Sequence, residues 1–334
     1  MNEKRIIYDN HGRPINYLRL AVTDRCNLRC FYCMPEEGIR YLPKKDLLTY
    51  EEMERLAQVL AGMGVNKIRI TGGEPFVRRD LIHFLWRLSK IEGIEQISIT
   101  TNGVLTGPYI AEFKAMGIAS VNLSLDTLDR ERFKAITRRD ESERVLECFH
   151  LLMEHHIPTK INAVMMDGKN TEDIIPMAEL TRKYPVSVRF IEEMPFNGEG
   201  SHYPVLVWTY HKIMEVLKSQ YPSIRKIQDE PHSTSYNYAI PGHQGNVGVI
   251  AAFSRTFCGS CNRIRITAQG GLKTCLYDEG VLDLRQLLRS GATDTDLESA
   301  FLHAFAHRAK DGFEAENLRI SGQPAAESMS TIGG

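Results

Sequence analysis

The stretch at residues 23–38, "TDRCNLRCFYCMPEEG", places Cys26, Cys30 and Cys33 within eight residues. The chain has seven cysteines, an odd number, so at least one thiol is outside any internal disulfide. With the spacing Cys-x3-Cys-x2-Cys, three thiolates can hold three corners of one [4Fe-4S] cube from a single loop. The fourth iron would have no protein ligand nearby, so a small chelating molecule could bind it.

A zinc site is the alternative for this triplet. A closed structural zinc site takes four ligands in a tetrahedral arrangement. Neither His11 nor another cysteine lies suitably close in the sequence. The spacing therefore favours the iron-sulfur interpretation.

Composition places the chain among ordinary globular proteins. Its 334 residues leave room for two domains, and 43% hydrophobic with 25% charged residues predicts a sizeable core. The chain has 41 basic and 42 acidic side chains, so its net charge gives no argument for nucleic acid or a membrane surface as a partner. With no apolar leader or membrane-length apolar run, we expect a cytoplasmic protein, where clustered cysteines more often bind metal.

Six short apolar runs alternate with helical patterns. The expected strands lie at 16–23, 67–71, 96–101, 120–126, 159–165 and 187–194. Helices are expected at 50–63, 79–91, 108–117, 142–155 and 172–184, the first opened by a capping box of Thr49 and Glu52. The α/β alternation predicts a parallel sheet, either open and doubly wound or curled into a partial barrel.

Strand alternation divides the side chains between two faces. The apolar set should face the helices: Leu18, Leu20, Ile68, Ile70, Ile97, Ile99, Leu123, Leu125, Ile161 and Ala163. The other set should face inward: Arg19, Arg69, Thr71, Ser98, Thr100, Asn122, Ser124, Asp126, Lys160 and Asn162. This polar set with three cations predicts a cavity for an anionic ligand, with a two-sided sheet that has one wetter face as the alternative. In the sixth strand both faces carry apolar and charged residues, so the sequence does not show which face points inward.

After about residue 200 the chain becomes rich in loops. We expect a core domain at 8–228 and a smaller domain at 229–334 with a helix at 294–310. Cys258, Cys261 and Cys275 form a second triplet, Cys-x2-Cys-x13-Cys, which fits a second cluster with an open iron or a zinc site completed by His232 or His243. Cys148, in an apolar helical pattern, is expected to be a core thiol.

The motif "CNLRCFYC" resembles the signature of the radical S-adenosylmethionine enzymes. The resemblance implies a partial (β/α)6 TIM-type barrel with a smaller C-terminal iron-sulfur domain. It also implies a [4Fe-4S] cluster whose open iron binds S-adenosylmethionine and yields a 5′-deoxyadenosyl radical. The segment "TGGEP" at 71–75 is similar to the family's methionine-binding motif. By the same resemblance the S-adenosylmethionine contacts are Tyr32, Gly73, Ser124 and Met194.

With both triplets, "CNRIR" and the final "MSTIGG", the chain resembles the GTP 3′,8-cyclase family of molybdenum cofactor biosynthesis. The resemblance implies abstraction of the ribose C3′ hydrogen of GTP and closure of a C3′–C8 bond. It assigns GTP contacts to Arg19, Arg69, Thr100, Lys160, Arg263 and Arg265, and a supporting role to Gly333 and Gly334. For Arg263 and Arg265, which alternate with isoleucines, a solvated strand face is the alternative.

The same resemblance implies two [4Fe-4S] clusters, a homodimer and transfer of product to cyclic pyranopterin monophosphate synthase. It leaves the electron donor unknown. Two other interpretations stay open: a radical S-adenosylmethionine peptide maturase with an auxiliary cluster, and a non-enzymatic iron-sulfur or zinc-binding protein.

Overall fold

A single twelve-stranded sheet organises the chain in the computed structural model, which describes residues 6–196, 198, 206–320 and 327–333. The strands are β1 (Tyr17–Ala21), β2 (Lys67–Thr71), β3 (Gln96–Thr101), β4 (Ser120–Ser124), β5 (Thr159–Met165), β6 (Ser187–Glu192), β7 (Arg225–Lys226), β8 (Tyr236–Ala239), β9 (Asn246–Ile250), β10 (Arg263–Ile266), β11 (Gly271–Lys273) and β12 (Leu282–Asp283). Their order across the sheet is β12-β11-β10-β1-β2-β3-β4-β5-β6-β9-β8-β7.

The α-helices pack on the sheet. They are α1 (Tyr50–Gly62), α2 (Leu81–Leu88), α3 (Ile110–Met116), α4 (Arg130–Thr137), α5 (Ser142–Glu154), α6 (Ile174–Lys183), α7 (Tyr210–Gln220), α8 (Leu284–Arg289), α9 (Asp294–Ala306), α10 (Gly312–Asn317) and α11 (Met329–Ile332). The predicted capping box of α1 is confirmed: the Thr49 hydroxyl accepts from the Glu52 amide at 3.1 Å, and Glu52 Oε2 accepts from the Thr49 amide at 2.7 Å. Helices α4, α7, α8, α10 and α11 were not among the predicted helices.

The six predicted strands are confirmed as a parallel series from β1 to β6. All ten residues expected to face the helices are buried in one hydrophobic core with Cys148. In β5, buried and half-buried residues alternate through the whole strand, as a sheet covered on one face requires. The parity argument therefore identifies the inner face correctly.

The C-terminal part of the chain adds strands at both edges of this sheet. β9 joins β6 in parallel, with Val188 opposite Val247, and β10 joins β1 in parallel, with Arg19 opposite Arg265. β7 and β8 form an antiparallel pair across the expected boundary at residue 228. The boundary between the two expected domains stays a prediction. Among the described helices none has the length and apolar character needed to cross a membrane.

Candidate active-site cavity

A cavity of about 470 Å³ lies against the inner face of the sheet, and both cysteine triplets line it. All six cysteines are free thiols and partly buried. The first triplet follows β1. The second is divided between the segment that enters β10 and the segment that leaves β11. The sheet topology thus brings two distant sequence motifs to one space.

The first triplet is buried in a setting that disfavours free thiolates. Burial and the nearby Glu74 carboxylate raise the pKa of Cys26 to about 12, and burial raises that of Cys33 to about 11. The Cys26 sulfur accepts from the Leu28 amide at 3.4 Å and from Asn102 Nδ2 at 3.7 Å. Because these donors alone do not offset burial, three thiolates here require a bound cation, and iron fits this donor set.

The glycines at 72–73 let the "TGGEP" loop pack directly on the cysteine loop. A Cβ on Gly73 would lie 2.3 Å from the Arg25 carbonyl oxygen, and one on Gly72 would lie 2.4 Å from that of Thr23. The Gly73 amide donates to the Thr23 carbonyl at 2.9 Å. Only glycine permits this approach of two backbones.

Glu74 fixes the same loop to the end of β3. Its fully buried carboxylate accepts from the Phe76 amide at 3.1 Å, the Thr101 hydroxyl at 2.8 Å and the Asn102 amide at 2.7 Å. The Asn102 side chain in turn reaches Cys26. Glu74 therefore positions a neighbour of the first triplet, a role that the sequence analysis missed.

The four residues expected to contact S-adenosylmethionine all line the cavity: Tyr32, Gly73, Ser124 and Met194. The Tyr32 hydroxyl donates to Asp126 Oδ2 at 2.8 Å, so the inward Asp126 orients this ring. Arg189 and Ile191 of the sixth strand line the cavity, as does Met194, which lies two residues beyond the end of that strand.

The cations predicted on the inner face lie on three strands, β1, β2 and β5, and all of them line the cavity. Arg19 lies in register with Arg265 on one side and Arg69 on the other, and Thr100, Lys160 and Arg263 also line the cavity. Sequence reasoning missed Arg189, whose strand had no clear parity. It also missed Lys67 and Tyr17, whose inward parity was readable because they are two residues from Arg69 and Arg19 respectively.

Several polar atoms in this cavity have no hydrogen-bond partner among the described residues. They are Arg19 Nε, Arg69 Nη1, Thr100 Oγ1, Asn122 Oδ1, Asn162 Oδ1 and Arg189 Nε. Burial, reinforced by Arg189, Arg69 and Lys67, lowers the pKa of Lys160 to about 7. Buried unpaired donors and mutually repelling cations favour a polyvalent anion as ligand.

The second triplet differs electrostatically from the first. Cys261 Sγ accepts from Arg308 Nη2 at 3.3 Å and from Arg263 Nε at 3.4 Å. Although burial opposes ionisation, these guanidinium groups lower the pKa of Cys261 to about 6. Burial raises the pKa of Cys275 to about 12.

The zinc alternative for the second triplet depends on His232 or His243. His243 Nδ1 is 2.7 Å from the Thr181 hydroxyl on α6, away from the cavity, and His232 Nδ1 donates to the Ser260 carbonyl at 2.7 Å. Within the described part of the chain, no three Cys, His, Asp or Glu side chains converge closely enough to hold a single ion. His243 therefore does not complete the second triplet, whereas His232 lines the same cavity as its three cysteines.

The tail reaches the cavity wall at Gly333. Its carbonyl oxygen accepts from Arg265 Nη1 at 2.6 Å, and its φ of +78° is in the left-handed region. The tail is anchored at residues 327–333, where the Ser328 hydroxyl donates to the Cys33 carbonyl at 2.7 Å. Gly334 lies outside the described residues.

Comparison with known proteins places both parts of the chain. Residues 20–181 match the family model described as Radical SAM superfamily, and residues 186–313 match that described as Molybdenum Cofactor Synthesis C. The fold resembles that of SuiB from Streptococcus suis bound to S-adenosylmethionine, with a TM-score of 0.59 and 16% identity over 80% of this chain and 62% of that one. At this identity the likeness shows the fold alone, and it confirms the predicted fold class.

Sequence relatives are much closer. The mitochondrial GTP 3′,8-cyclase of Arabidopsis thaliana is 41% identical over 98% of this chain and 84% of its own length, and GTP 3′,8-cyclase of Syntrophomonas wolfei is 39% identical over 93% and 97%. Molybdenum cofactor biosynthesis protein 1 of Homo sapiens is 41% identical over 86% of this chain. The chain spans only 45% of that relative. With the bacterial and plant relatives matched over nearly their full length, the chain belongs to the GTP 3′,8-cyclase family of the radical S-adenosylmethionine superfamily.

Proposed function

We propose that this protein converts GTP to (8S)-3′,8-cyclo-7,8-dihydroguanosine 5′-triphosphate, the first step of molybdenum cofactor biosynthesis. The observation that carries the proposal is the cation-lined inner wall between the two cysteine triplets. In the reaction the C3′ hydrogen passes to the C5′ atom of 5′-deoxyadenosine, a C3′–C8 bond forms as the C8–N7 double bond becomes single, and N7 takes up a proton. S-adenosylmethionine yields methionine and 5′-deoxyadenosine, and a reductant of unknown identity supplies two electrons.

Membership of the superfamily implies one [4Fe-4S] cluster and S-adenosylmethionine, which together supply the 5′-deoxyadenosyl radical. Cys26, Cys30 and Cys33 would hold this cluster. The segment at 72–73 would bind the methionine part of the cofactor, and Tyr32, Ser124 and Met194 line the adjoining wall.

GTP would lie between the two triplets. Arg19, Arg69 and Lys160 would bind the triphosphate, and the unpaired Thr100 hydroxyl is free to donate to it. Arg189 belongs to the same group because its Nε is also buried and unpaired. Arg263 and Arg265 would hold the nucleotide near the second triplet, where Cys258, Cys261 and Cys275 would hold a second [4Fe-4S] cluster that binds the guanine.

The side chains need supply no nucleophile or general base in this reaction. Their contribution is to hold ribose C3′ beside the radical carbon and to keep water and oxygen out. Gly333 would support this by restraining Arg265, whose Nη1 donates to the Gly333 carbonyl.

The test is an anaerobic incubation of reconstituted protein with dithionite, S-adenosylmethionine and GTP. We expect 5′-deoxyadenosine and a cyclised nucleotide in equal amounts. Formation of 5′-deoxyadenosine without a cyclised nucleotide would favour the peptide maturase, and its absence would favour a non-enzymatic binding protein.

Metal analysis tests the second cluster separately. Replacing Cys258, Cys261 and Cys275 with Ala should lower iron from about eight to about four atoms per chain, since a cubane cluster holds four. The Cys148→Ala variant, which removes a core thiol, is the control and should keep all of the iron. Unchanged iron, or zinc in place of iron, would contradict the assignment. The homodimer, the cytoplasmic location and delivery to cyclic pyranopterin monophosphate synthase stay part of the proposal.

A further inference from the structure

A buried ion-pair triad joins the N-terminal segment to the second cysteine triplet. Asp9 Oδ2 accepts from Arg13 Nε at 2.6 Å and from Arg308 Nη1 at 3.2 Å. The side chains of Asp9, Arg13 and Arg308 are only 0%, 6% and 2% exposed. Asp9 Oδ1 also accepts from the amides of His11 and Arg13, both at 2.9 Å. The Asp9 carboxylate thus accepts four hydrogen bonds.

Arg308 contacts both sequence segments that carry the triplet. Its Nη1 donates to the Cys261 carbonyl at 2.9 Å, its Nη2 to the Arg263 carbonyl at 2.8 Å, and its Nε to the Thr274 carbonyl at 2.9 Å. Thr274 directly precedes Cys275. One guanidinium therefore fixes the spacing between the Cys258–Cys261 segment and the Cys275 segment, which lie on neighbouring strands.

Arg13 completes the connection from the other side. Its Nη1 donates to the Cys258 carbonyl at 3.3 Å and to the Lys310 carbonyl at 2.5 Å, and its Nη2 donates to the Ala309 carbonyl at 2.8 Å. Both arginines line the cavity. Carbonyl oxygens beside all three cysteines are thereby held by the triad's two arginines.

The charge of the triad points to an anionic neighbour. Two guanidinium groups and one carboxylate leave a buried excess of one positive charge, which is costly unless a further anion lies close. The Cys261 sulfur is that neighbour, 3.3 Å from Arg308 Nη2. A planar guanidinium suits this task because it can donate to several acceptors in fixed directions.

We propose that Arg308, held by Asp9 and Arg13, is a positioning residue that assembles the second cluster site and raises the reduction potential of the cluster bound there. The inference rests on the proposed second cluster. A hydrogen bond from a cation to a ligating sulfur stabilises the more negative, reduced state, and such bonds are among the factors that set cluster potentials. The first triplet differs in this respect, because the Cys26 sulfur accepts from the Leu28 amide and the Asn102 side chain rather than from a guanidinium group.

The test isolates the second site. A parent protein with Cys26, Cys30 and Cys33 replaced by Ala should keep about four iron atoms per chain after anaerobic reconstitution. Arg308→Lys keeps the charge and loses the fork of donors. We expect this variant to retain less iron and to show a more negative midpoint potential, measured by redox titration with electron paramagnetic resonance. Arg132→Lys is the matched control, since Arg132 pairs with the buried Asp173 and neither residue lines the cavity.

Asp9→Asn is the second variant. It keeps Arg308 but weakens the ion pair that positions the Arg308 guanidinium. We expect a shift in the same direction and of smaller size. If either variant, folded by circular dichroism, has the parent's midpoint potential and iron content, the inference is overturned while the cluster assignment stands. If Arg308→Lys does not fold, Asp9→Asn decides. A parent that binds no iron would overturn the second cluster and this inference together.

Discussion

Arg265 and Gly333 are joined by a 2.6 Å hydrogen bond from the guanidinium Nη1 to the carbonyl oxygen of the glycine. This bond connects β10, at one edge of the original six-stranded series, to the C-terminal tail. Arg265 is itself in register with Arg19, so the tail restrains one member of the row of arginines that faces the cavity. The tail is thereby part of the cavity wall.

The Gly333→Ala substitution should displace this tail. A Cβ at position 333 would lie 2.5 Å from Thr71 Oγ1 and 3.1 Å from the Ala21 Cβ, and the left-handed backbone adds a cost of about 1–2 kcal/mol. We expect GTP affinity, measured by calorimetry, to fall by about tenfold, equivalent to about 1.4 kcal/mol. Gly242→Ala is the control, with a similar φ of +84° and open space around its Cβ. Equal affinities for the two variants would contradict the role of the tail.

The Gly73→Ala substitution should weaken S-adenosylmethionine binding and assembly of the first cluster. Its Cβ would meet the Arg25 backbone at 2.3 Å, which only a movement of the cysteine loop could relieve. We expect cofactor affinity to fall more than tenfold, together with the iron held by the first triplet, as read by calorimetry and metal analysis. Gly62→Ala, at the end of α1 with no atom within 4 Å of the new Cβ, should leave both unchanged. Wild-type affinity in the Gly73 variant would show that the close packing of the two loops is dispensable.

The inner face of the sheet was predictable because strand parity is a local property. In a sheet covered by helices, apolar residues must face the helices, so the opposite parity of β1, β2 and β5 gives Arg19, Arg69 and Lys160 directly. The first cysteine triplet was equally local, since its spacing lies within a single loop. At β6 strand parity did not predict the inward face, because both of its faces carry apolar and polar or charged residues.

Long-range pairings were not predictable from the sequence. That β9 and β10 join opposite edges of the same sheet depends on backbone hydrogen bonding between distant segments, which leaves no periodic signal. The same holds for Asp9, Arg13 and Arg308, which are ordinary charged residues in the sequence and become a buried triad only when both ends of the chain meet.

Binding of GTP should take up protons near pH 8, because Lys160 is held partly neutral in the free protein. Burial and the neighbouring cations lower its pKa to about 7 from a usual 10.5. Between pH 7 and pH 10.5, Lys160 binds more protons in the unfolded chain than in the folded one. The contribution of Lys160 to the free energy of unfolding therefore rises with pH over this range. A bound triphosphate offsets the repulsion between Lys160 and the neighbouring cations, so the Lys160 amine takes up a proton and becomes charged. Proton uptake should therefore be large at pH 8 and small at pH 6.

The measurement is calorimetry of GTP binding in two buffers that differ in ionisation enthalpy, at pH 6 and pH 8. Lys160→Met should lose most of the uptake at pH 8. A remainder of the proton uptake is expected from Tyr17. Burial raises the pKa of its hydroxyl, but the cations Arg69, Arg19 and Lys67 lower it to about 8. A bound anion would raise this pKa again, so the phenolate would take up a proton. Tyr17→Phe should remove that remainder. Lys212→Met, which alters a lysine that packs on Trp208, should bind GTP with the parent's proton uptake. Uptake that is equal at both pH values, or unchanged by Lys160→Met, would mean that the triphosphate lies elsewhere in the cavity.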